Sequence, residues 1–273
     1  MTADLHTHSS ASDGQHSPAQ VAALVKARGA QCWALTDHDT LDGLSEARSA
    51  AIALGLRFIP GIELSAKEYH TFHILGYCFD PGNPALAALC QRMKEGRDAR
   101  KYKIIDFLEE KGLKITIDEV ESVAGGNLIA RPHFARVLVA RGYVPDNRSA
   151  FDLYLDTDEY HDRVERDKPS VRECVETIRA AGGYVSLAHP YQIGLDNDAL
   201  DGLVGKLADI GIDAIECFYP RYNYEQTAFY LSLTRKYGLH YTGGSDFHGV
   251  KVKPDIQIGA IEMELDWLLQ ENA

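Results

Sequence analysis

Both ends of this chain repeat one alternation, short apolar runs followed by capped helical patterns, and repeated βα units are most simply satisfied by one largely parallel sheet. Near the N-terminus, Ser17-Pro18-Ala19-Gln20 offers an N-cap, a proline at the first helical position and a glutamine three residues on. Val21, Leu24 and Val25 continue the helix, which stops near Gly29. A buried strand is predicted over 32–36, a helix over 42–54 closed by Gly55, and a strand over 56–62. The rhythm returns after residue 170, where Ser170 and Glu173 form a capping box ahead of Val171, Cys174, Val175 and Ile178. Strands follow at 184–188 and 214–218, then a helix over 225–237, then Tyr241-Thr242 leading into Gly243-Gly244. The expected fold is α/β, with both ends of the chain in one barrel-like body.

The middle of the chain reads differently. Ile104, Ile105 and Leu108 share a helix ending at Gly112, and Phe134, Val137 and Leu138 share one ending at Gly142. Residues 1–82 and 171–273 are therefore expected to form the barrel, with 83–170 a helical insertion or lid over its site. The insertion holds 15 Lys+Arg against 16 Asp+Glu, close to neutral in a chain of net charge −12. That balance leaves room for a basic face toward a small anion, or for a plain solvated surface. The net charge of −12 argues against coating long nucleic acid, which needs Lys and Arg to neutralise phosphates. No apolar run approaches the roughly 20 residues of a membrane span, and Met1 to Leu5 lead into a polar motif without a basic or apolar leader, so a cytoplasmic protein is expected. Five cysteines, odd in number and never in a C-x-x-C pair, are expected to be reduced thiols.

Chemistry concentrates in histidine and carboxylate motifs at predicted strand ends. In His6-Thr7-His8 and Asp246-Phe247-His248 the outer residues lie two apart, so on extended backbone each pair points to one face. His38, Glu63, His73 and His189 stand where strands should run into loops, and a (β/α) barrel gathers those ends at one face. Thr36, Asp37 and Asp39 are candidates to orient a ligating imidazole, although Asp39 or Thr40 serves equally as a helix cap. His16, His70, His161 and His240 are expected to stay outside the cluster.

The ordered motifs D-L-H-T-H-S-S-A-S-D-G, T-D-H-D, P-G-I-E, H-I-L-G, A-H-P and G-S-D-F-H-G, spread over residues 4–249, resemble those of the PHP (polymerase and histidinol phosphatase) family of metal-dependent phosphoesterases. Arg131-Pro132-His133-Phe134-Ala135-Arg136 and Gly243-Gly244-Ser245-Asp246-Phe247-His248-Gly249 are most similar to its nucleoside 3′,5′-bisphosphate phosphatase branch. The resemblance implies a distorted TIM-like (β/α)7 barrel with a helical insertion, and three divalent ions on His6, His8, Asp13, His38, Glu63, His73, His189, Asp246 and His248. His6, His8, Glu63 and Asp246 would hold one ion, Glu63, His73 and His189 a second, and Asp13, His38 and His248 a third. Asp13 also reads as a plain turn residue. Ligands without thiolate suit manganese, zinc or iron, and the branch suggests manganese.

The same resemblance implies that a hydroxide held by the ions attacks phosphorus in line, with His189 or His133 as general acid. Arg131 and His133 are expected on the substrate's second phosphate, with Arg136, Arg221 and Tyr222 as further contacts. Three readings stay open: hydrolysis of the 3′-phosphate of a nucleoside 3′,5′-bisphosphate to give the 5′-mononucleotide, 5′ to 3′ exonuclease action on short RNA, and a non-catalytic metal- or nucleotide-binding module. Oligomeric state is not legible.

Overall fold

The structure, a computed structural model, describes residues 1–69, 71–124, 129–164 and 167–269. Its elements in chain order are β1 (Thr2–Asp4), α1 (Pro18–Ala27), β2 (Cys32–Leu35), α2 (Leu44–Leu54), β3 (Arg57–Ser65), β4 (His73–Tyr77), α3 (Pro84–Glu110), α4 (Ile117–Ala124), α5 (Arg131–Ala140), α6 (Asn147–Ala150), a π turn (Phe151–Leu155), α7 (Asp158–Val164), α8 (Val171–Ala180), β5 (Tyr184–Leu187), a 3-10 turn (Pro190–Ile193), α9 (Asn197–Ile210), β6 (Ala214–Phe218), α10 (Tyr224–Tyr237), β7 (His240–Gly243), β8 (Ile261–Glu262) and α11 (Asp266–Leu269). Two compact units divide the chain, Met1–Gln91 with Lys168–Ala273, and Arg92–Asp167. The first turns of α3, with Leu86 and Leu89 buried, belong to the first unit, and the helix runs on into the second.

In the first unit one sheet runs in the order β7-β6-β5-β4-β3-β2-β1-β8. The chain closes it into a barrel beyond the ends of β1 and β7, where Asp246 N–H donates to the His6 carbonyl at 2.7 Å and His8 N–H to that of Phe247 at 2.9 Å. Gly244 permits this approach, because a Cβ there would lie 2.3 Å from the His6 Cβ and 2.4 Å from its nitrogen. Strands β1 to β7 make the expected wall. The two-residue β8, antiparallel to β1, has too short an apolar signature to be read from sequence.

One strand breaks the β/α rhythm. Only residues 66–72 join β3 to β4, too few for the crossover that a parallel neighbour requires, so β4 turns back and pairs antiparallel with β3 and then with β5. His73 therefore opens its strand rather than closing it, which corrects the strand-end expectation. Reversal places it at the same end of the barrel as the C-terminal ends of the parallel strands. The register sets Ser65 opposite His73 and Glu63 opposite Leu75, so Glu63 and His73 are near neighbours on one face.

Local signals behave as their chemistry requires. Ser17 and Gln20 complete a reciprocal capping box on α1, and Gly55 ends α2 at φ 63°. Neither Asp39 nor Thr40 caps α2: its N-cap is Gly43, without a side-chain hydrogen bond. The five cysteines are unpaired, and four of them are buried. Among the described residues no helix is long and apolar enough to cross a membrane.

The second unit has its own core, in which Phe107, Leu108, Phe134, Leu138, Leu155 and Tyr160 pack together. Within it α5 starts at Arg131, and the His133 Nδ1 accepts the Ala130 N–H at 3.0 Å, tying down an otherwise unpaired helix-start donor.

Candidate metal centre

Glu63 is the hub. Fully buried within β3, its Oε1 lies 2.8 Å from His189 Nε2 and 2.9 Å from His73 Nδ1. Its Oε2 lies 3.1 Å from His8 Nε2 and 3.2 Å from both His6 Nε2 and His38 Nδ1. Asp246 Oδ1 stands 3.3 Å from His8 Nε2 and 3.6 Å from His6 Nε2. Asp13 Oδ1 lies 3.3 Å from His248 Nε2, and its Oδ2 lies 3.9 Å from His38 Nε2. The nine residues carried over from the family motifs thus share one constellation.

Ligand atoms within 4.8 Å of one another form three overlapping groups: His6, His8, Glu63 and Asp246; His8, Asp13, His38 and His248; and His38, Glu63 and His73. The first has the expected membership, and the second adds His8 to the expected trio. In the third, His38 stands beside Glu63 and His73, while His189 Nε2 is 3.4 Å from His73 Nδ1.

The donor set fits divalent cations. Buried His6 Nε2, both nitrogens of His8, His38 Nδ1, Glu63 Oε2 and His189 Nδ1 lack hydrogen-bond geometry to any partner among the described residues. Buried polar atoms are rarely left so, and six in one cluster mark a place for ions. Burial pushes the Glu63 and Asp13 carboxyls up, but the surrounding imidazoles outweigh it and hold both well below the usual range. Asp246 is held low against its burial by Lys253 and His6. Burial likewise opposes charge on His8, yet the Asp246 and Glu63 carboxylates beside it raise it to about 9, while burial lowers His38 to about 3. Protons on some imidazoles thus stand where cations would balance three ionised carboxylates, and metal binding would displace them.

Backbone strain collects here as well. Asp39, His189 and Asp246 adopt φ of 56°, 23° and 56°, values that side-chain-bearing residues reach only where surroundings impose them.

Other expectations fare differently. Asp37 accepts from the Ser9 N–H at 2.7 Å and from the Ser12 hydroxyl at 2.5 Å, and the Thr36 hydroxyl bonds the Thr7 backbone, so both brace the His6–His8 loop rather than an imidazole. Asp39 accepts from the Ser65 N–H at 2.8 Å. His16 stacks on Phe247, His240 stacks on Trp267, and His161 pairs with Asp156, while His70 lies outside the described residues. Arg131 Nη1 is 2.5 Å from Asp156 Oδ1 and donates to the Leu155 carbonyl. Arg136 is exposed one turn along α5. Arg221 pairs with Asp255 at 2.9 Å, and the Tyr222 hydroxyl donates to the Glu216 carbonyl, its ring lying among Tyr191, Tyr219 and Tyr230.

Three participants escaped the sequence reading. Glu216 is fully buried in β6 against His6 and His189. Lys253 Nζ, at 2.6 Å, and the Tyr219 hydroxyl, at 3.0 Å, both donate to Asp246 Oδ2, leaving Oδ1 for the cluster. Only Glu216 carried a signal, a carboxylate inside the otherwise apolar Ala-Ile-Glu-Cys-Phe strand.

Known proteins are similar to this chain. A 5′-3′ exoribonuclease of Haemophilus influenzae is 34% identical over 90% of this chain and 89% of its own length. A 3′,5′-nucleoside bisphosphate phosphatase of Chromobacterium violaceum is 35% identical over 90% of this chain and 86% of its own. A phosphoribosyl 1,2-cyclic phosphate 1,2-diphosphodiesterase of Eggerthella lenta is 34% identical over 91% and 95%. A solved amidohydrolase structure from Chromobacterium violaceum, with sulfate bound and no metal, superposes with a TM-score of 0.80 at 32% identity, covering 97% of this chain and 92% of that one.

Fold, ligand cluster and relatives together define a metal-dependent phosphoester hydrolase, which sets aside the non-catalytic reading. The PHP domain family matches residues 4–188, and the chain belongs to it.

Proposed function

We propose that this enzyme removes the 3′-phosphate of nucleoside 3′,5′-bisphosphates, such as adenosine 3′,5′-bisphosphate, and releases the 5′-mononucleotide, using three divalent ions of which manganese is the first candidate. The observation that carries phosphoester hydrolysis is the convergence of buried imidazoles and three ionised carboxylates around Glu63. Substrate choice is supported by the Chromobacterium violaceum phosphatase relative and by the Arg-Pro-His start of α5.

When bound, the ions supply Lewis-acid stabilisation of phosphoryl charge and a nucleophile at neutral pH. The protein's own groups hold that arrangement. Glu63 spans the cluster, Lys253 and Tyr219 fix the orientation of Asp246, and Asp37 braces the loop that carries His8. The general acid of this proposal is His189 or His133: His189 sets Nε2 against Glu63 and has Nδ1 without a hydrogen-bond partner among the described residues, and His133 accepts the Ala130 N–H at Nδ1. Arg131 and His133, with Arg136, Arg221 and Tyr222, are assigned to substrate as part of this proposal, and the helical insertion over 83–170 to a lid.

Phosphate release from adenosine 3′,5′-bisphosphate, 3′-AMP and 5′-AMP tests the substrate, with identification of the nucleotide product. Equal turnover of all three, or 3′-AMP as product, would refute the specificity. Elemental analysis of metal-loaded protein tests the count, and a stoichiometry that never exceeds one ion per chain rules out three sites. The Haemophilus influenzae relative supports short RNA as a second reading. An oligonucleotide gripped at several phosphates loses affinity steeply with salt, whereas a mononucleotide does so only shallowly.

A further inference from the structure

Each of the strands β1 to β5, and β7, places at least one of the nine clustered residues at or next to its end: His6 and His8 after β1, His38 after β2, Glu63 in β3, His73 in β4, His189 after β5, Asp246 and His248 after β7. Strand β6 supplies none of them. It supplies Glu216, which is fully buried and lies between neighbours that do carry ligands, since β6 pairs with β5 on one side and β7 on the other.

The two oxygens of Glu216 serve different residues. Oε1 is 2.9 Å from His6 Nδ1, and Oε2 accepts the backbone N–H of His189 at 2.8 Å. The first contact fixes a tautomer. With Nδ1–H donated to a carboxylate, Nε2 presents a lone pair, and Nε2 is the atom that faces Glu63 and Asp246 without hydrogen-bond geometry. The second contact anchors a strained residue: His189 sits at φ 23° and ψ 63°, and its N–H is held by a buried carboxylate at the point where the chain leaves β5.

We infer that Glu216 is a positioning residue for the metal centre, one carboxylate that sets the tautomer of His6 and the backbone of His189 together. The inference rests on the reading of the cluster as a metal site. Glutamine cannot substitute for both contacts, because its single carbonyl oxygen can take either the His6 Nδ1–H or the His189 N–H. Its amide then faces the other donor.

The test uses full-length protein and zinc as a diamagnetic probe. In zinc-loaded wild type, ¹⁵N spectra of labelled histidine should show His6 protonated at Nδ1 and metallated at Nε2. Glu216→Gln should weaken zinc binding, read by chelator competition, by about 10- to 100-fold, the range found for lost partners of ligating imidazoles. It should also alter the His6 ring signals. Zinc on His6 Nδ1 in wild type, or wild-type affinity with unchanged His6 signals in Glu216→Gln, overturns the role. The wild-type spectrum decides even where the variant does not fold. Wild-type protein that takes up no zinc would instead refute the metal-site reading itself.

Discussion

Glu63 shows how one side chain can set the state of a whole site. Five imidazole nitrogens surround its two oxygens at 2.8–3.2 Å, so Glu63→Gln removes a full negative charge from the point where those ligands meet. Metal content and turnover should fall together, activity by 100-fold or more if about 3 kcal/mol of stabilisation is lost. Near-normal activity at normal metal content would remove Glu63 from the hub. The metal-free protein offers a second reading of the cluster. His6 and His8 are raised above the ordinary histidine range, His8 to about 9, so the folded state holds protons that the unfolded state has released. Both contributions are complete below about pH 6.5, and that of His8 is lost as pH rises toward 9. The melting temperature of metal-free protein should therefore decline from pH 6.5 to 9, while metal-saturated protein should stay nearly flat; parallel curves would contradict this. For His133 the expected signature is dependence on the leaving group: His133→Ala should slow hydrolysis of an alkyl phosphate about 10²-fold or more, and an aryl phosphate with an acidic leaving group far less. Equal slowing would deny it the role of acid. The histidine pairs and strand-end ligands were legible because their motifs are local and their spacing carries geometry, whereas Asp13, in a segment that also reads as a turn, came only through the family resemblance. Lys253, seven residues beyond Asp246 in an irregular segment, had no such signal, since a lone lysine in a loop is ordinarily solvated.

Among the elements, α1, α2, α8 and α10 and the strands between them announced themselves through caps and periodicity, as Ser17 and Gln20 do for α1, whereas α9 was not read from sequence. The reversal at β4 did not, because its apolar run reads alike in either direction and only the short connection over 66–72 dictates the turn. Closure between the extensions of β1 and β7 was equally hidden: it depends on a backbone approach that sequence shows only as a glycine pair, Gly243-Gly244. Gly244→Ala should expose that dependence. A methyl group 2.3 Å from the His6 Cβ must push the two segments apart, costing about 1–3 kcal/mol of stability and displacing His6 from the cluster. Thermal melting and zinc affinity should both fall. Gly202→Ala is the matched control, an exposed position inside α9 with nothing within 4 Å of the added carbon. Alanine there should stabilise by up to about 1 kcal/mol without touching metal binding. Unchanged zinc affinity in Gly244→Ala would mean that His6 is not held by this approach.

At the scale of the molecule, the proposed grip on the substrate's second phosphate turns on Arg131 in the helical unit. Its guanidinium already has work within the unit. It pairs with Asp156, bonds the Leu155 carbonyl, and lies 5.7 Å from the Phe151 ring centroid and 5.9 Å from that of Tyr160. A partly exposed pair contributes roughly 0.2–1 kcal/mol and each of the two ring contacts about 0.5–1 kcal/mol, so Arg131→Ala should cost about 1–3 kcal/mol of stability whatever else it does. Lost stability therefore cannot diagnose substrate contact, and Asp156→Asn separates the two roles. That variant weakens the internal pair but leaves the guanidinium in place. If Arg131 grips the second phosphate, Arg131→Ala should lose at least about 10-fold of the preference for adenosine 3′,5′-bisphosphate over 3′-AMP, equivalent to one charge-assisted hydrogen bond of about 1.5 kcal/mol or more, chiefly through KM. Asp156→Asn should keep that preference or sharpen it, since its arginine is freer to turn to an anion. Preference unchanged in both variants would make Arg131 a brace of the helical unit, and the second phosphate would then have to be read from the barrel side, where Arg221 and Tyr222 stand beside Tyr191.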